Sequence, residues 1–264
     1  MQVLASDGTR IDASARGIGR REAVVLVHGF PFHRALWEAH AEVLAASHAV
    51  LCVDLRGAGS SGVPHGPYLM ETLAGDLAAL LDAAGIERVS LAGHSMGGYV
   101  ALAFARMFSE RVERLALVSS RLADDTAQQA AARRELADRA EKAGSIEPIL
   151  EAYVPRLTAP QTQSRQPGVA ARAYEIAREN SVRGAAAALR GMALRANCED
   201  IAQDVDVPVL VLAGACDELL SLEESAAIAQ RFPDGRLVVC DESGHLPMLE
   251  EPDRVTAALA QWLA

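Results

Sequence analysis

Aromatic residues are scarce in this 264-residue chain, at 4%. The interior must therefore be built mainly from Ala, Leu and Val, and a hydrophobic content of 50% supplies enough of them for a large core. Positive charge is also in deficit, with 25 Lys and Arg against 35 Asp and Glu and a formal net charge of −10. That balance disfavours non-specific binding to nucleic acid or to an anionic membrane, and no Lys/Arg-rich run argues otherwise. The plain reading of the excess is a solvated acidic surface. Cysteines number four: Cys52, Cys198, Cys216 and Cys240. No pair has CxxC spacing and no Cys/His cluster has zinc-ligand spacing, so no metal is expected; no cofactor is expected either. Cys52 and Cys240 fall in apolar runs, where a thiol behaves as a small hydrophobe. Four reduced thiols fit a cytoplasmic location. No run of about 18 apolar residues is present, and Met1–Asp12 lacks the basic start and apolar stretch of a signal peptide. The expected partner is a small molecule, with no membrane insertion. The oligomeric state, monomer or homodimer, stays open.

The length suits one α/β domain. From residue 23 onward, strand and helix patterns alternate. Ala23–Val27 (AVVLV) is a short apolar, β-branched run of the kind that becomes a parallel strand buried on both faces. A helical stretch over Ala35–Ala46 leads to a strand at His48–Val53 and the loop Asp54–Gly62. Leu69, Leu73, Leu77, Leu80 and Leu81 form one apolar stripe at helical spacing, and Gly85 follows as a helix stop. Strands are predicted at Arg88–Leu91 and Arg114–Val118, with a helix over Ser95–Phe108 between them. The rhythm then breaks. From Arg121 to about Cys198 there is no run of strand character, only Ala-, Arg- and Glu-rich helical sequence punctuated by prolines. That is far longer than an ordinary connection between strands, so it reads as an insertion with structure of its own. Strand and helix return at Val207–Ala213, Leu222–Arg231, Arg236–Cys240 and Pro252–Leu263. Alternation of this kind means a mostly parallel sheet covered by helices on both faces.

Gly93-His94-Ser95-Met96-Gly97-Gly98 matches G-x-S-x-G between a strand (VSLA) and a helix (YVALAFA), the context in which that motif presents a nucleophile. The turn is so tight that Ser95 must take a strained conformation, and Gly93 and Gly97 are needed because a Cβ would clash. The loop His28-Gly29-Phe30-Pro31 follows AVVLV. The backbone N–H groups of Phe30 and Met96 are the two expected oxyanion donors. His28 reads as a structural residue that holds its loop. Among seven histidines, only His245 follows Ser95 at a distance, in a loop past the strand RLVVC, where it can act as general base. Asp217, at the carboxyl end of VPVLVLAG, is the expected acid that orients it. Asp124 is the rival, and Asp241 lies too near His245 in sequence to reach its Nδ1 comfortably.

HGFP, DLRGAGSS (Asp54–Ser61), GHSMGG, GACD (Gly214–Asp217) and SGHLPMLEEP (Ser243–Pro252) occur in that order, and together they resemble the α/β-hydrolase superfamily over residues 20–264. Within it the chain is similar to small carboxylesterases, cofactor-free haloperoxidase/perhydrolase-type esterases and 3-oxoadipate enol-lactonases. The resemblance implies an α/β-hydrolase fold with eight strands and a helical cap inserted after the sixth. The core would be residues 1–120 and 199–264, and the cap residues 121–198. Ser95 stands where haloalkane dehalogenases and epoxide hydrolases carry Asp, and the HGGPG-like loop of proline iminopeptidases is absent. The leading expectation is an esterase acting on a small to medium apolar substrate through an acyl-enzyme, its pocket lined by Phe30, Trp37, Met96, Tyr99, Leu189 and Met192. A lactonase or enol-lactonase would use the same three residues, with perhydrolysis as a side activity of either. A hydrolase-fold receptor with slow turnover is the reading from another class.

Overall fold

Eight strands form one sheet in a computed structural model that describes all 264 residues. They are β1 (Gln2–Leu4), β2 (Arg10–Arg16), β3 (Ala23–Val27), β4 (Ala49–Asp54), β5 (Val89–His94), β6 (Val112–Val118), β7 (Val209–Gly214) and β8 (Gly235–Cys240). Their spatial order is β1-β2-β4-β3-β5-β6-β7-β8, antiparallel at β1/β2 and β2/β4 and parallel across the rest. Every residue of β3, β4, β5 and β7 is buried. A strand covered on both faces has no solvent side, so its sequence is a continuous Val/Leu/Ala run without alternation. Strands β3, β4, β6 and β7 carry most of that signal. The two segments β1 and β2 were not expected as strands. β2 reads R-I-D-A-S-A-R, with no apolar run, because it lies one strand from the sheet edge and buries chiefly Ile11 and Ala13.

Between the strands run α1 (Glu38–Leu44), α2 (Met70–Ala83) and α3 (Met96–Met107). α2 turns Leu73, Leu77, Leu80 and Leu81 inward, all nearly inaccessible. The chain leaves it through Gly85 at φ +66°, a left-handed stop that suits glycine. After β6 come five helices without a strand: α4 (Ala127–Ala143), α5 (Glu147–Tyr153), α6 (Pro160–Arg165), α7 (Pro167–Arg178) and α8 (Val182–Met192). α4 opens with a capping box in which Thr126 and Gln129 satisfy each other's backbone N–H groups. α8 packs along α4 and buries Ala185–Leu189. Its alanines are core, not surface. α9 (Leu222–Arg231), α10 (Pro247–Glu250) and α11 (Pro252–Leu263) complete the chain. No helix is long and apolar enough to cross a membrane.

The loop after β4 is held from within. The Asp54 carboxylate accepts from the backbone N–H of Arg34 at 2.8 Å and of Ser60 at 2.9 Å. Arg56 donates from Nε and Nη2 to the buried Asp76 carboxylate at 2.7 and 2.6 Å. This paired geometry explains how Asp54 and Arg56 of DLRGAGSS can be charged and yet buried: their charges are matched inside the fold.

Candidate active site

β5 passes into α3 through a single residue. Ser95 has φ +49° and ψ −112°, a backbone conformation that costs an L-residue about 1–3 kcal/mol. The turn can be this sharp because its glycines have no side chains. A Cβ on Gly97 would lie 2.5 Å from the Val27 carbonyl oxygen, and one on Gly93 would lie 2.3 Å from the Gly97 oxygen. The Ser95 backbone N–H donates to the Val118 oxygen at 2.9 Å, and Ser120 Oγ donates to the Ser95 oxygen at 2.8 Å. Both neighbours come from the end of β6, so the strained residue is anchored on two sides.

The Ser95 hydroxyl lies 2.9 Å from His245 Nε2, and His245 Nδ1 lies 2.7 Å from Asp217 Oδ2. Asp217 follows β7, and His245 lies in the loop between β8 and α10. A carboxylate can only accept, so the Asp217 contact puts the imidazole proton on Nδ1 and leaves Nε2 free to accept from Ser95. The other carboxylate oxygen, Oδ1, accepts from the backbone N–H of Leu219 at 2.8 Å and of Leu220 at 3.2 Å. Burial alone would raise the Asp217 pKa. The imidazole of His245 and the two amides outweigh it, and the carboxyl is held below its ordinary value. Asp124 is exposed and accepts from Asn197, and Asp241 pairs with Arg254 at the surface. Neither touches His245. The thiol of Cys216, next to Asp217, meets Gln161 Nε2 at 3.0 Å and the Asp241 carbonyl oxygen at 3.9 Å and touches neither Ser95 nor His245.

Three residues brace this arrangement. His94 is fully buried, donates from Nε2 to the His245 carbonyl oxygen at 2.8 Å, and sets its ring 5.1 Å from the His245 ring. Burial, with the neighbouring His245 second, holds His94 down at about 3, so it stays neutral beside the other imidazole. His28 accepts from the Leu55 N–H at 3.1 Å through Nε2, and its Nδ1 lies 3.0 Å from the Gly29 oxygen. It secures its own loop. Glu250 carries the least obvious part. Its Oε1 accepts from the backbone N–H of Gly244 at 2.9 Å and of Leu246 at 3.3 Å, on either side of His245. Its Oε2 accepts from the Ala159 N–H at 2.8 Å and the Thr162 hydroxyl at 2.7 Å. One buried carboxylate thus joins the His245 loop to the start of α6. Glu250→Gln puts an amide NH₂, which cannot accept, against one pair of these donors. It is expected to lower unfolding stability by about 1–3 kcal/mol in a urea titration, with kcat falling as well because the His245 loop loosens.

The two backbone N–H groups expected to face a developing oxyanion are free of protein acceptors. Met96 is the first residue of α3, so its N–H has no partner within the helix, and the Phe30 N–H bonds to nothing in its loop. Asn180, just before α8, holds the Phe30 loop from above. Its Nδ2 donates to the Pro31 oxygen at 2.7 Å while its Oδ1 accepts from the Gly59 N–H at 2.8 Å.

Ser95 and His245 open into a cavity of about 380 Å³ between the sheet and the helices that follow β6. Phe30, Tyr99 and Met192 line it, together with Leu136, Tyr153 and Leu219. Trp37, Met96 and Leu189 do not, and the expectation that they would is corrected. Trp37 is inaccessible and packs its ring edge-to-face on His40 at 5.4 Å. Leu189 is buried within α8's packed face, and Met96 borders a separate void of about 20 Å³. The lining is also more polar than an apolar substrate would need. Arg121, Arg133 and Arg156 face the cavity with Glu218 and Gln129, and ten of its eighteen residues are hydrophobic. No local motif announces these polar groups, because Arg121, Gln129, Arg133 and Arg156 sit in the irregular segment after β6 and Glu218 in the loop after β7, and only the tertiary packing turns them inward.

A mostly parallel eight-stranded sheet, with a strained serine between the fifth strand and its helix, defines the α/β hydrolases as a class. The family described as alpha/beta hydrolase fold matches residues 22–252, and the chain belongs to it. It is 36% identical to a thermophilic esterase from Thermogutta terrifontis, solved with malate bound, covering 100% of this chain and 97% of that one at a TM-score of 0.95. An enol-lactonase from Burkholderia xenovorans LB400 is 26% identical, with 100% and 99% of the two chains covered and a TM-score of 0.91. The 3-oxoadipate enol-lactonase 2 of Acinetobacter baylyi is 25% identical over 256 residues, 97% of this chain and 94% of that one.

Proposed function

We propose that the chain is a serine hydrolase that cleaves small carboxylic esters through an acyl-enzyme on Ser95. The observation that carries this reading is the file Asp217–His245–Ser95, at 2.7 and 2.9 Å, on the sharp turn after β5. Ser95 Oγ attacks the ester carbonyl carbon as its proton passes to His245 Nε2. The oxyanion that forms is met by the Phe30 and Met96 N–H groups, and each such donor is worth about 3–4 kcal/mol of transition-state stabilisation. The bond to the alcohol oxygen breaks, and His245 returns the proton to that oxygen. Water then attacks the acyl carbon, again losing its proton to His245, and Ser95 leaves with the proton restored. Asp217 stabilises the imidazolium at each stage. The helices over residues 121–198 serve as a cap that closes the cavity and shapes it.

Similarity to an esterase at 36% identity supports the choice of ester bonds. Similarity to two enol-lactonases favours a second reading, in which the ester is internal to a ring and the same three residues open it. Labelling with a fluorophosphonate tests the shared part. A covalent adduct located on Ser95, blocked by prior Ser95→Ala substitution, is the expected result. Absence of an adduct, or an adduct elsewhere, sinks the proposal. Comparing kcat/KM for p-nitrophenyl butyrate and for 3-oxoadipate enol-lactone then separates the two readings.

A further inference from the structure

Charge is not balanced along the cavity wall. Arg121 is paired with Glu224 at 3.2 Å, and Arg156 faces Glu218 at 3.8 Å. The carboxylate of Asp125, by contrast, serves two guanidiniums at once. It accepts from Arg133 Nε at 2.6 Å and lies 2.6 Å from Arg195 Nη1. Side-chain exposure is 2% for Asp125, 3% for Arg195 and 16% for Arg133, and neither arginine has a second carboxylate within 4 Å. Two cations against one anion leave a net charge of +1 in a largely buried cluster. Sharing one carboxylate leaves the second positive charge only partly compensated, which is costly in a buried cluster, and an anion entering the adjoining cavity would complete the balance.

The donors of this cluster point to that use. Arg195 stacks over the Tyr99 ring, 4.3 Å from its centroid, and stays behind the wall. Arg133 is in the wall. Its Nη1 donates to Tyr153 Oη at 2.9 Å and lies 3.5 Å from Met192 Sδ, while Nη2 reaches Asp125 at 3.3 Å. A guanidinium has five N–H bonds, and these contacts leave one on Nη2 unused. Arginine cannot accept, so the Tyr153 oxygen is the acceptor in their bond, and its own O–H has no protein acceptor. Tyr153 lies with its ring edge-to-face against Phe30, centroids 5.3 Å apart. Phe30 in turn belongs to the loop beside Ser95. The cavity wall therefore holds the Ser95 hydroxyl, the Phe30 ring, a tyrosine O–H and a guanidinium N–H, with a positive charge only partly compensated behind them.

Resting on the esterase reading above, we infer that the substrate carries a carboxylate, in its acyl or its alcohol part, which Arg133 and Tyr153 bind in the cavity that Ser95 opens into. A single surplus charge suits a carboxylate better than a phosphate monoester, which carries nearly two. The expected substrates are hemiesters of dicarboxylic acids, esters of hydroxy acids, or lactones with an acid side chain.

The test compares isosteric pairs: monomethyl glutarate against methyl 5-amino-5-oxopentanoate, and butyryloxyacetic acid against its primary amide. In at least one pair the anionic member should show a kcat/KM higher by roughly 10- to 100-fold, the range lost with a charged hydrogen bond. Arg133→Met should bring that ratio to about one, Arg133→Lys should keep part of it, and Tyr153→Phe should reduce it by a smaller factor. A ratio of about one for both pairs in the wild type overturns the inference and leaves the esterase reading intact. If no ester is turned over, the esterase reading has failed, and glutarate binding decides the anion site alone. A rise in the melting temperature of the Ser95→Ala protein with glutarate, absent when Arg133→Met is added, supports the site; no rise overturns it.

Discussion

Ser95→Ala is expected to lower kcat for an ester substrate by about a millionfold, leaving a small residue of catalysis from the oxyanion donors and from binding. The size of the effect follows from geometry. The hydroxyl is the only group at the turn that can form a bond to the acyl carbon, and His245 Nε2 lies 2.9 Å away to take its proton. No other hydroxyl makes that contact. Ser119 also lines the cavity and also has a positive φ, of +46°, but its Oγ is buried and bonds to nothing. Steady-state kinetics with p-nitrophenyl butyrate measures the loss, and turnover within tenfold of wild type would remove Ser95 from the mechanism.

The same position carries a second expected result. With φ +49° and ψ −112°, residue 95 occupies a region that only glycine enters without strain. Ser95→Gly should be as inactive as Ser95→Ala, yet more stable than it by about 1–2 kcal/mol, the strain relieved less the extra chain entropy of glycine. Thermal unfolding of the two variants side by side gives the difference. An enzyme that spends stability to lift one hydroxyl clear of the sheet should gain it back when the hydroxyl and its Cβ are removed together.

Much of this arrangement is legible in the sequence, for definite reasons. Ser95 sits in a motif whose glycines are demanded by contact distances, and that motif falls where an apolar run gives way to a helical one. Asp217 and His245 follow apolar runs too, and in a parallel sheet the ends of successive strands lie on one edge, so residues far apart in the chain converge. What stayed hidden depended on packing across the whole molecule. β2 has no apolar run because a strand near the edge can be polar on one face. Trp37 lies a few residues past Phe30 and shares its apolar character, but its side chain turns into the core beside His40. Leu189 and Met192 lie three residues apart on α8, near enough to share a face, and only one of them meets the cavity. Periodicity tells which face of a helix is apolar, and cannot tell which apolar residue has space in front of it. Glu250 and Arg133 are harder still. Each looks like a solvated charge in sequence, and each is identified only by its partners: four donors from the His245 loop and the start of α6 for Glu250, and a shared carboxylate for Arg133.

Asp217→Asn is expected to lower kcat by about ten-thousandfold while leaving the fold nearly intact. The side chains are isosteric, so the outcome turns on which end of the asparagine amide faces His245. That choice is made by the backbone. Oδ1 of Asp217 accepts from the Leu219 and Leu220 N–H groups at 2.8 and 3.2 Å, and only an oxygen can occupy that position. The asparagine carbonyl must therefore take the place of Oδ1, which puts its NH₂ where Oδ2 now meets His245 Nδ1 at 2.7 Å. An NH₂ there donates to Nδ1 and drives the imidazole proton to Nε2, the nitrogen facing Ser95. The base then presents a proton where it should present a lone pair, and the serine hydroxyl has no acceptor. Asp217→Ala lacks this inversion. It leaves Nδ1 without a partner but does not hold the wrong tautomer, so it should retain more activity than Asp217→Asn. Kinetics of the two variants under identical conditions tests the reasoning: equal losses would mean that Asp217 acts through charge alone, and a smaller loss in the asparagine variant would mean that the Leu219 and Leu220 amides do not orient the side chain.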